Sequence, residues 1–559
     1  MPVDAITLQV IAATLAGIVR EMQNSLYRTG YSTIIRESHD ASCAVLDGQG
    51  RLVGQHVVLP LHMGAFPACA EALLARYAPD EMAPGDAFLV NHPYLGGSPH
   101  SMDMAVITPV FCDGQLVAFC CSMAHKPDIG GTVPGSGAGD ARELFHEGLQ
   151  IPPIRYVVGG TPSREVEEII RANSRTPDLV IGDLRGQGGC NRVGERRLQA
   201  LFAKYGLAEV LATWEAICQK TEERVRAEIA AWPDGTYRAE ATTDNDGVDL
   251  NRPVTVRVQV EKRGDRILFD FTESDDQTRG PANIRPPLVR ACCYYALIAL
   301  IDPALPPNYG LARAVDTRFR EGSVLDPRWP APVNAYMPTA QVVTEAVLAA
   351  LGQMLPDRQV ASSAGTGALV IGGPHPRRPG AYVHYEIYGS ASGGRPHGDG
   401  VSGVSVHLGN SQIAPIEIVE SEFPVRVRQF ALRAGSGGAG QYRGGLGYRR
   451  EYEILADGTR LSLRMDRHRV GAPGVRGGQG GEPGSVTVWR NGELAAELPS
   501  RLGGFVLQAG DVLRVDRPGG GGFGPPAARD PELARADLAD GYVTPPATGV
   551  SGSEAKERA

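Results

Sequence analysis

The chain has 559 residues, 42 % hydrophobic and 21 % charged, a globular composition with room for two to four domains or one large mixed fold. Net charge is −8 with no basic block, which excludes nucleic acid and anionic membranes as expected partners. Glycine, at 70 residues, is well above its usual share and predicts many tight turns, while the 55 basic residues include only five lysines, a skew of base composition rather than of ligand.

In chain order, residues 5 to 29 predict an amphipathic helix: Ile6, Val10, Leu15, Ile18, Met22 and Leu26 recur at helical spacing and Gly30 stops the run. Asp4 and the lack of a positive leader argue against a signal peptide, and the longest strongly apolar run, ACCYYALIALI, is too short for a bilayer. SCAVLDGQGRLVGQ predicts a hairpin and GDAFLVN a buried strand. MAVITPVF, the turn Asp113-Gly114 and LVAFCCSMAH predict a second hairpin. A helical stretch over about 161–231 ends at Trp232-Pro233. From 235 the pattern alternates, with two strands around Arg263-Gly264, then two helices in PLVRACCYYALIALI and AQVVTEAVLAALGQML. Beyond about 420 the chain reads as Gly-punctuated strands, and its last 15 or so residues as a disordered tail.

The expected fold class is therefore α+β. An N-terminal α+β region covers 1–160, a helical region 161–232, a central α/β region 233–420, a β-rich region 421–543 and a tail 544–559. Nine cysteines, an odd number without C-x-x-C spacing, read as buried thiols in a reducing compartment, so a soluble cytoplasmic protein is expected.

Seven of the twelve histidines (His39, His56, His62, His92, His100, His125 and His146) lie in the first 146 residues, which makes this the place to look for chemistry. If Asp113-Gly114 is a two-residue turn, Cys112 faces Gln115, and uninterrupted pairing sets His125 opposite Met102. His125 then lies beside Asp103 and diagonal to His100, and diagonal Cβ atoms on one face are no more than about 7–8 Å apart. Strict alternation would turn Asp103 to the other face, although Pro99 breaks the strand enough for a loop to bring the carboxylate back. Two imidazoles and a carboxylate at one hairpin mouth suit Zn, Mn or Fe(II) with positions left open for water. The spacing leaves the alternative open that all three are polar loop residues. Asp40 in RESHDASCAVLD, Asp128 in HKPDIGGTVPGSG and Glu147 in FHEGLQIPP are acids that could join as ligand, base or support, or serve as caps and turn acids.

No G-K dipeptide is present, hence no phosphate-binding Walker loop, and no G-x-S-x-G nucleophile elbow. If ATP is used, another chain binds it. The runs GSGGAGQYRGGLG and RPGGGGFGPP read as turns.

The ordered motifs ASCAVLDGQGRLVGQHVVLPLHMGAFP, NHPYLGGSPHSMD, AHKPDIGG, FHEGLQIPP, RTPDLVIGDLRGQ, DNDGVDL, GSGGAGQYRGGLG and RPGGGGFG resemble those of the hydantoinase B/oxoprolinase family, from about residue 4 to 543. That family includes B subunits of hydantoinases and ATP-dependent lactamases, oxoprolinases, and large subunits of acetone and acetophenone carboxylases. The resemblance implies an A-type ATPase partner, which binds ATP and Mg and phosphorylates a carbonyl oxygen, and a B-type subunit that holds a divalent metal for the second step. It matches His100, Asp103 and His125 to the family's H-x-x-D and following histidine, and Asp40 to the acid of a DFSC-like motif. Asp40 is then a further ligand or base, with Asp128 the second candidate base, and Zn is the first choice of metal ahead of Mn or Fe. Two positions depart from the family pattern. His92 replaces the acid of N-D-P-Y, and Lys126 follows His125 where a second histidine is usual, which puts a stock substrate assignment in doubt. The function expected is that of the metal-bearing subunit of an ATP-dependent cyclic-amide hydrolase acting on a hydantoin, lactam or 5-oxoproline-like substrate. The alternatives are a carboxylase-type subunit, against which the chain's length leans, and a non-catalytic scaffold for the ATPase.

Overall fold

The computed structural model describes residues 4–56 and 58–543, so the expected tail at 544–559 lies outside the described residues. The first sheet has seven antiparallel strands: β1 (Ala41–Asp47), β2 (Leu52–Gln55), β3 (Ala87–Val90), β4 (Asp103–Cys112), β5 (Gln115–His125), β6 (Ile154–Val158) and β7 (Thr161–Pro162). Their order is β2-β1-β5-β4-β3-β6-β7. The apolar runs of β4 and β5 follow from burial on both faces. Ala105, Ile107, Phe119, Cys121 and Met123 enter one core, while Met104, Val106, Ala118, Cys120 and Ala124 enter another.

Helices cover both faces. Helix Ala5–Thr29, capped by the Asp4 carboxylate on Thr7 N–H (3.0 Å), buries Ile11, Leu15, Ile18, Met22 and Leu26 in the second of these cores. It is long and apolar enough to cross a bilayer, yet its apolar stripe is spent on the sheet. The expected helical stretch resolves into Arg164–Asn173, Pro177–Tyr205 and Leu207–Ala230. The opposite face is covered by helices His62–Leu74, Pro286–Ile301 and Tyr336–Met354. Tyr336–Met354 also packs on a second sheet, β8 (Gly235–Thr243), β9 (Val254–Arg263), β10 (Arg266–Asp270) and β11 (Val315–Arg318), at β8 and β9.

The remaining strands are β12 (Gly367–Pro374), β13 (Ala381–Tyr388), β14 (Ser390–Ala391), β15 (Ser402–Val404), β16 (Val425–Leu432), β17 (Tyr448–Ile454), β18 (Thr459–Arg464), β19 (Ser485–Arg490), β20 (Glu493–Leu498), β21 (Arg501–Leu507) and β22 (Val512–Asp516). They form the sheets β13-β12-β18-β21 and β16-β17-β22-β19-β20, with β14-β15 as a short ladder. The architecture is α+β, with the β-rich end beginning at β12.

A turn forms at Ala434-Gly435 (Gly435 φ 75°), but the rest of the glycine-rich runs pack backbone on backbone, with Gly438 N–H donating to Gly520 O (2.8 Å), Gly520 N–H to Gly445 O (3.0 Å) and Gly394 N–H to Gly521 O (2.8 Å). A Cβ on Gly444 would lie 1.9 Å from Gly520 O. Glycine is required there because the backbones touch.

Candidate metal centre

The hairpin turn forms as its sequence predicts, with positive φ at Asp113 (49°) and Gly114 (78°). The register beyond it differs from uninterrupted pairing. Phe111 faces Leu116 but Val110 faces Ala118, so Val117 is a bulge and every later pair shifts by one. Asp103 therefore lies directly opposite His125, where the sequence count put Met102. Period 2 then places Asp103 and His125 on the face that holds Ala105, Ile107, Cys121 and Met123. Asp40 joins them just ahead of β1, because His125 N–H donates to Asp40 O (3.1 Å). The bulge, rather than a swung loop, turns the Asp103 carboxylate to the imidazoles.

Four side chains converge at these strand ends. His100 Nε2 is 3.2 Å from Asp103 Oδ2, His125 Nδ1 is 3.4 Å from Asp103 Oδ1, and His125 Nδ1 is 3.7 Å from Asp40 Oδ2. The ligand atoms that His100, Asp103 and His125 offer lie within 4.8 Å of one another, and all three residues are buried. A tetrahedral metal with bonds of about 2.0–2.1 Å spaces its ligands by roughly 3.3 Å. The spacing of this set therefore fits a divalent ion, and Asp40 Oδ2 lies beside it, 3.7 Å from His125 Nδ1. His125 Nε2 is also buried and has no protein partner.

Supporting contacts fix the imidazoles. His100 Nδ1 bonds Asn334 Oδ1 (3.0 Å), and Asn334 is held by its Nδ2 donating to Ser136 O and by Arg464 donating to both of its oxygens. Glu147 Oε1 accepts Val333 and Asn334 N–H at 2.7 Å each, so this acid braces the segment that orients His100. Burial pushes Glu147 up to about 8, against the lowering effect of those two N–H bonds and of Arg464. His62, on the helix covering this face, bonds Ser42 Oγ through Nδ1 (2.9 Å) and brings Nε2 to 3.9 Å from Asp103 Oδ2.

The two carboxylates are driven apart. Burial acts to raise Asp103, but the imidazoles of His100, His125 and His62 outweigh it and hold the carboxyl well below the usual range. Asp40 is raised by burial and by the charge of Asp103, with Arg464 opposing. Burial also lowers His125 to about 4, keeping its imidazole neutral as a metal ligand requires. A cavity opens on this set, with Leu59, Leu61, Met337, Ile387 and Leu408 giving it apolar walls and Arg464 a charged one.

Asp128 is not among the residues lining this cavity. Its carboxylate accepts Gly130, Gly135 and Arg175 N–H and the Arg175 guanidinium, so it organises the glycine-rich loop after β5 and has no oxygen left for a base. Lys126 lies one residue beyond His125 and so on the opposite face, where Nζ donates to Gln187 Oε1 on helix Pro177–Tyr205. His92 caps the short helix Pro93–Gly96, its Nδ1 accepting Tyr94 and Leu95 N–H at 3.1 Å each, the task a carboxylate performs at that position. Neither departure lines the cavity. The sequence reading missed Asn334, Arg464, Tyr336, Tyr385 and the placement of His62, since no local spacing links residues so far apart. An orphan carboxamide beside a proline run, at PAPVNAYMP, was the only available signal.

Residues 4–526 match the hydantoinase B/oxoprolinase family, and the chain belongs to that family. It is 34 % identical over 561 residues to a protein of Pseudomonas sp. (strain NS671) provisionally named as the B subunit of a D-/L-hydantoinase, covering 97 % of this chain and 93 % of that one. The crystal structure of the ATP-dependent caprolactamase from Pseudomonas jessenii superposes with a TM-score of 0.89 at 28 % identity, over 97 % of this chain and 95 % of that one. Acetone carboxylase in its nucleotide-free form shares the fold at a TM-score of 0.86 and 17 % identity, over 97 % and 78 % of the two chains.

Proposed function

We propose that this chain is the metal-bearing B-type subunit of an ATP-dependent cyclic-amide hydrolase. Its substrate is a hydantoin, lactam or 5-oxoproline-like ring, activated by phosphorylation in a partner ATPase subunit. The observation that supports this reading best is the convergence of His100, Asp103, His125 and Asp40 at the floor of a cavity with apolar walls. The similarity to a caprolactamase and to a hydantoinase B subunit supports the class of substrate and the need for a second subunit. No phosphate-binding Walker loop occurs in the sequence, in keeping with ATP being bound elsewhere.

His100, Asp103 and His125 would hold the metal, with Asp40 as a fourth ligand or as the base. When bound, such an ion supplies Lewis acidity and a water of lowered pKa at neutral pH. Asn334 fixes the ring of His100, so that Nε2 faces Asp103. Asp103 stays ionised, while burial and the charge of Asp103 raise the proton affinity of Asp40, which, once ionised, would accept a proton from an attacking water at Oδ2. The apolar walls bury the ring and exclude bulk water. An unactivated amide is a poor electrophile, and phosphorylation of its oxygen turns that oxygen into a leaving group. Zn is the first choice of metal for a set rich in imidazole, followed by Mn and Fe.

The test is elemental mass spectrometry of the purified chain beside His100→Ala and His125→Ala, followed by ATP-coupled turnover of cyclic amides with the partner ATPase. About one Zn, Mn or Fe per chain, absent from both variants, supports the reading. A metal-free chain with full turnover in the presence of chelator overturns it.

A further inference from the structure

Arg464 is buried in the wall of the same cavity, and only part of its guanidinium is used by the protein. Its Nη1 donates to Asn334 O (3.0 Å) and to Asn334 Oδ1, while Nε and Nη2, both buried, have no protein acceptor. Arg464 lines the cavity, and its guanidinium lies over the ring of Tyr385, 5.0 Å from the centroid, with Nη2 close to Gly137. Its place is set by the backbone: Arg464 ends β18, paired to Ala368 of β12 on one side and Arg501 of β21 on the other. Burial lowers its pKa only to about 10, so the group stays charged at neutral pH.

Leaving guanidinium donors buried without acceptors is costly. The carboxylates nearest in charge, Asp40, Asp103 and Glu147, form no ion pair with it within 4 Å among the described residues. Asp103 and Asp40 face the imidazoles instead, and Glu147 faces the backbone of Val333 and Asn334. The Arg464 fork has the geometry to meet a planar or tetrahedral oxyanion, and Leu59, Leu61, Met337, Ile387 and Leu408 give the same cavity apolar surface.

We infer that Arg464 is the oxyanion-recognising residue of this cavity, receiving a phosphoryl or carboxylate group of the ligand while the apolar wall receives its ring. This rests on the reading of the cavity as the place where an activated amide reacts. It narrows the substrate class to one that is anionic when it arrives: either phosphorylated at its carbonyl oxygen, or bearing a ring carboxylate of its own. Arg464 also acts as a positioning residue for His100 through Asn334, so binding of the anion and orientation of the imidazole share one side chain.

Isothermal titration of the full chain, stripped of metal by chelator, with inorganic phosphate and separately with acetate tests the inference. The wild type is expected to bind phosphate, and Arg464→Gln to bind it roughly tenfold or more weakly, the scale of a lost charge-assisted hydrogen bond. Arg464→Lys keeps the charge without the fork, and is expected to fall between the two. Preference for phosphate over acetate assigns the phosphoryl group, and the reverse preference the ring carboxylate. A wild-type chain that binds neither anion overturns the inference without need of a variant, as does an Arg464→Gln chain that is folded and binds phosphate within about twofold of wild type. Metal content measured on the same preparations before chelator treatment separates the two readings. Phosphate binding that depends on Arg464, in a wild-type chain that takes up no metal, sinks the hydrolase reading and leaves this one standing.

Discussion

Strand β13 serves two buried polar clusters, one on each of its faces. Tyr385 and Ile387 line the cavity above His100, Asp103 and His125, whereas His384, Glu386 and Tyr388 belong to a packed cluster between the two C-terminal sheets. There Glu386 binds Arg450 Nη1 through Oε1 (2.6 Å) and His384 Nε2 through Oε2 (3.1 Å), and accepts the Tyr452 hydroxyl; Tyr388 bonds Tyr452. Both clusters hold buried acids, imidazoles and tyrosines, and in both an acid is held low against its burial, Asp103 by the imidazoles and Glu386 by Arg450 and His384. They differ at their carboxylates and in the cavity beside them, not in their donors, since Arg450 Nε and Nη2 and His384 Nδ1 also lack protein partners. Both oxygens of Glu386 are occupied by protein donors, while the carboxylates and imidazoles at the other site meet one another at 3.2–3.7 Å beside open space. Burial and perturbed ionisation therefore do not distinguish a site from a structural network, whereas ligand-type atoms that face one another beside a cavity do.

That contrast can be broken. His100→Ala or Asp103→Asn is expected to lower ATP-dependent turnover on the order of 10³-fold and to abolish metal uptake, the scale of losing a metal-activated nucleophile, with little change in the melting curve. Arg450→Met is expected to do the reverse. It leaves Glu386 buried without its cation and costs about 3–5 kcal/mol in a urea melt, with metal content unchanged. Equal losses of stability from both changes would show that the two clusters are alike and remove the ground for calling one a site.

Smaller effects sharpen the distinction. Asn334→Ala frees His100 Nδ1 and is expected to weaken metal affinity by about 10–100-fold, read by competition with a chromogenic chelator. Near the site but outside it, His92 is predicted to act through stability alone. Burial, aided by Arg285, lowers its pKa below the ordinary 6.5, so the unfolded chain takes up the proton first as the pH falls. Its contribution is complete above pH 6.5 and is lost as the pH drops through that value. His92→Asp keeps the helix cap, and is expected to change stability by less than about 0.5 kcal/mol at neutral pH. It should also flatten the decline below pH 6.5 in denaturant melts measured across that range.

Local pattern carried most of the secondary structure. The first helix runs Ala5–Thr29 where apolar spacing and Gly30 put it, and the helices Pro286–Ile301 and Tyr336–Met354 fall on the two runs read as helical. The Asp113-Gly114 turn was legible because only such residues take two successive positive φ values at low cost. Helix His62–Leu74 escaped that reading because it carries Pro67 and a weak apolar period. Strands β12 and β13 escaped it as well, lying within a glycine-rich stretch.

By itself, then, the sequence determined which residues had metal-binding chemistry to offer, and that His100, Asp103 and His125 lie near one hairpin mouth. Side-chain type and turn chemistry are local properties. The tertiary structure decided which of them meet. A single bulge at Val117 moved Asp103 opposite His125, and strand alternation sent Lys126 to the far face. Folding across more than 200 residues brought Asn334 and Arg464 to the imidazoles, and Asp128 was consumed by its own loop. Register and long-range packing depend on the sum of many weak contacts rather than on any one neighbour, so no local pattern records them.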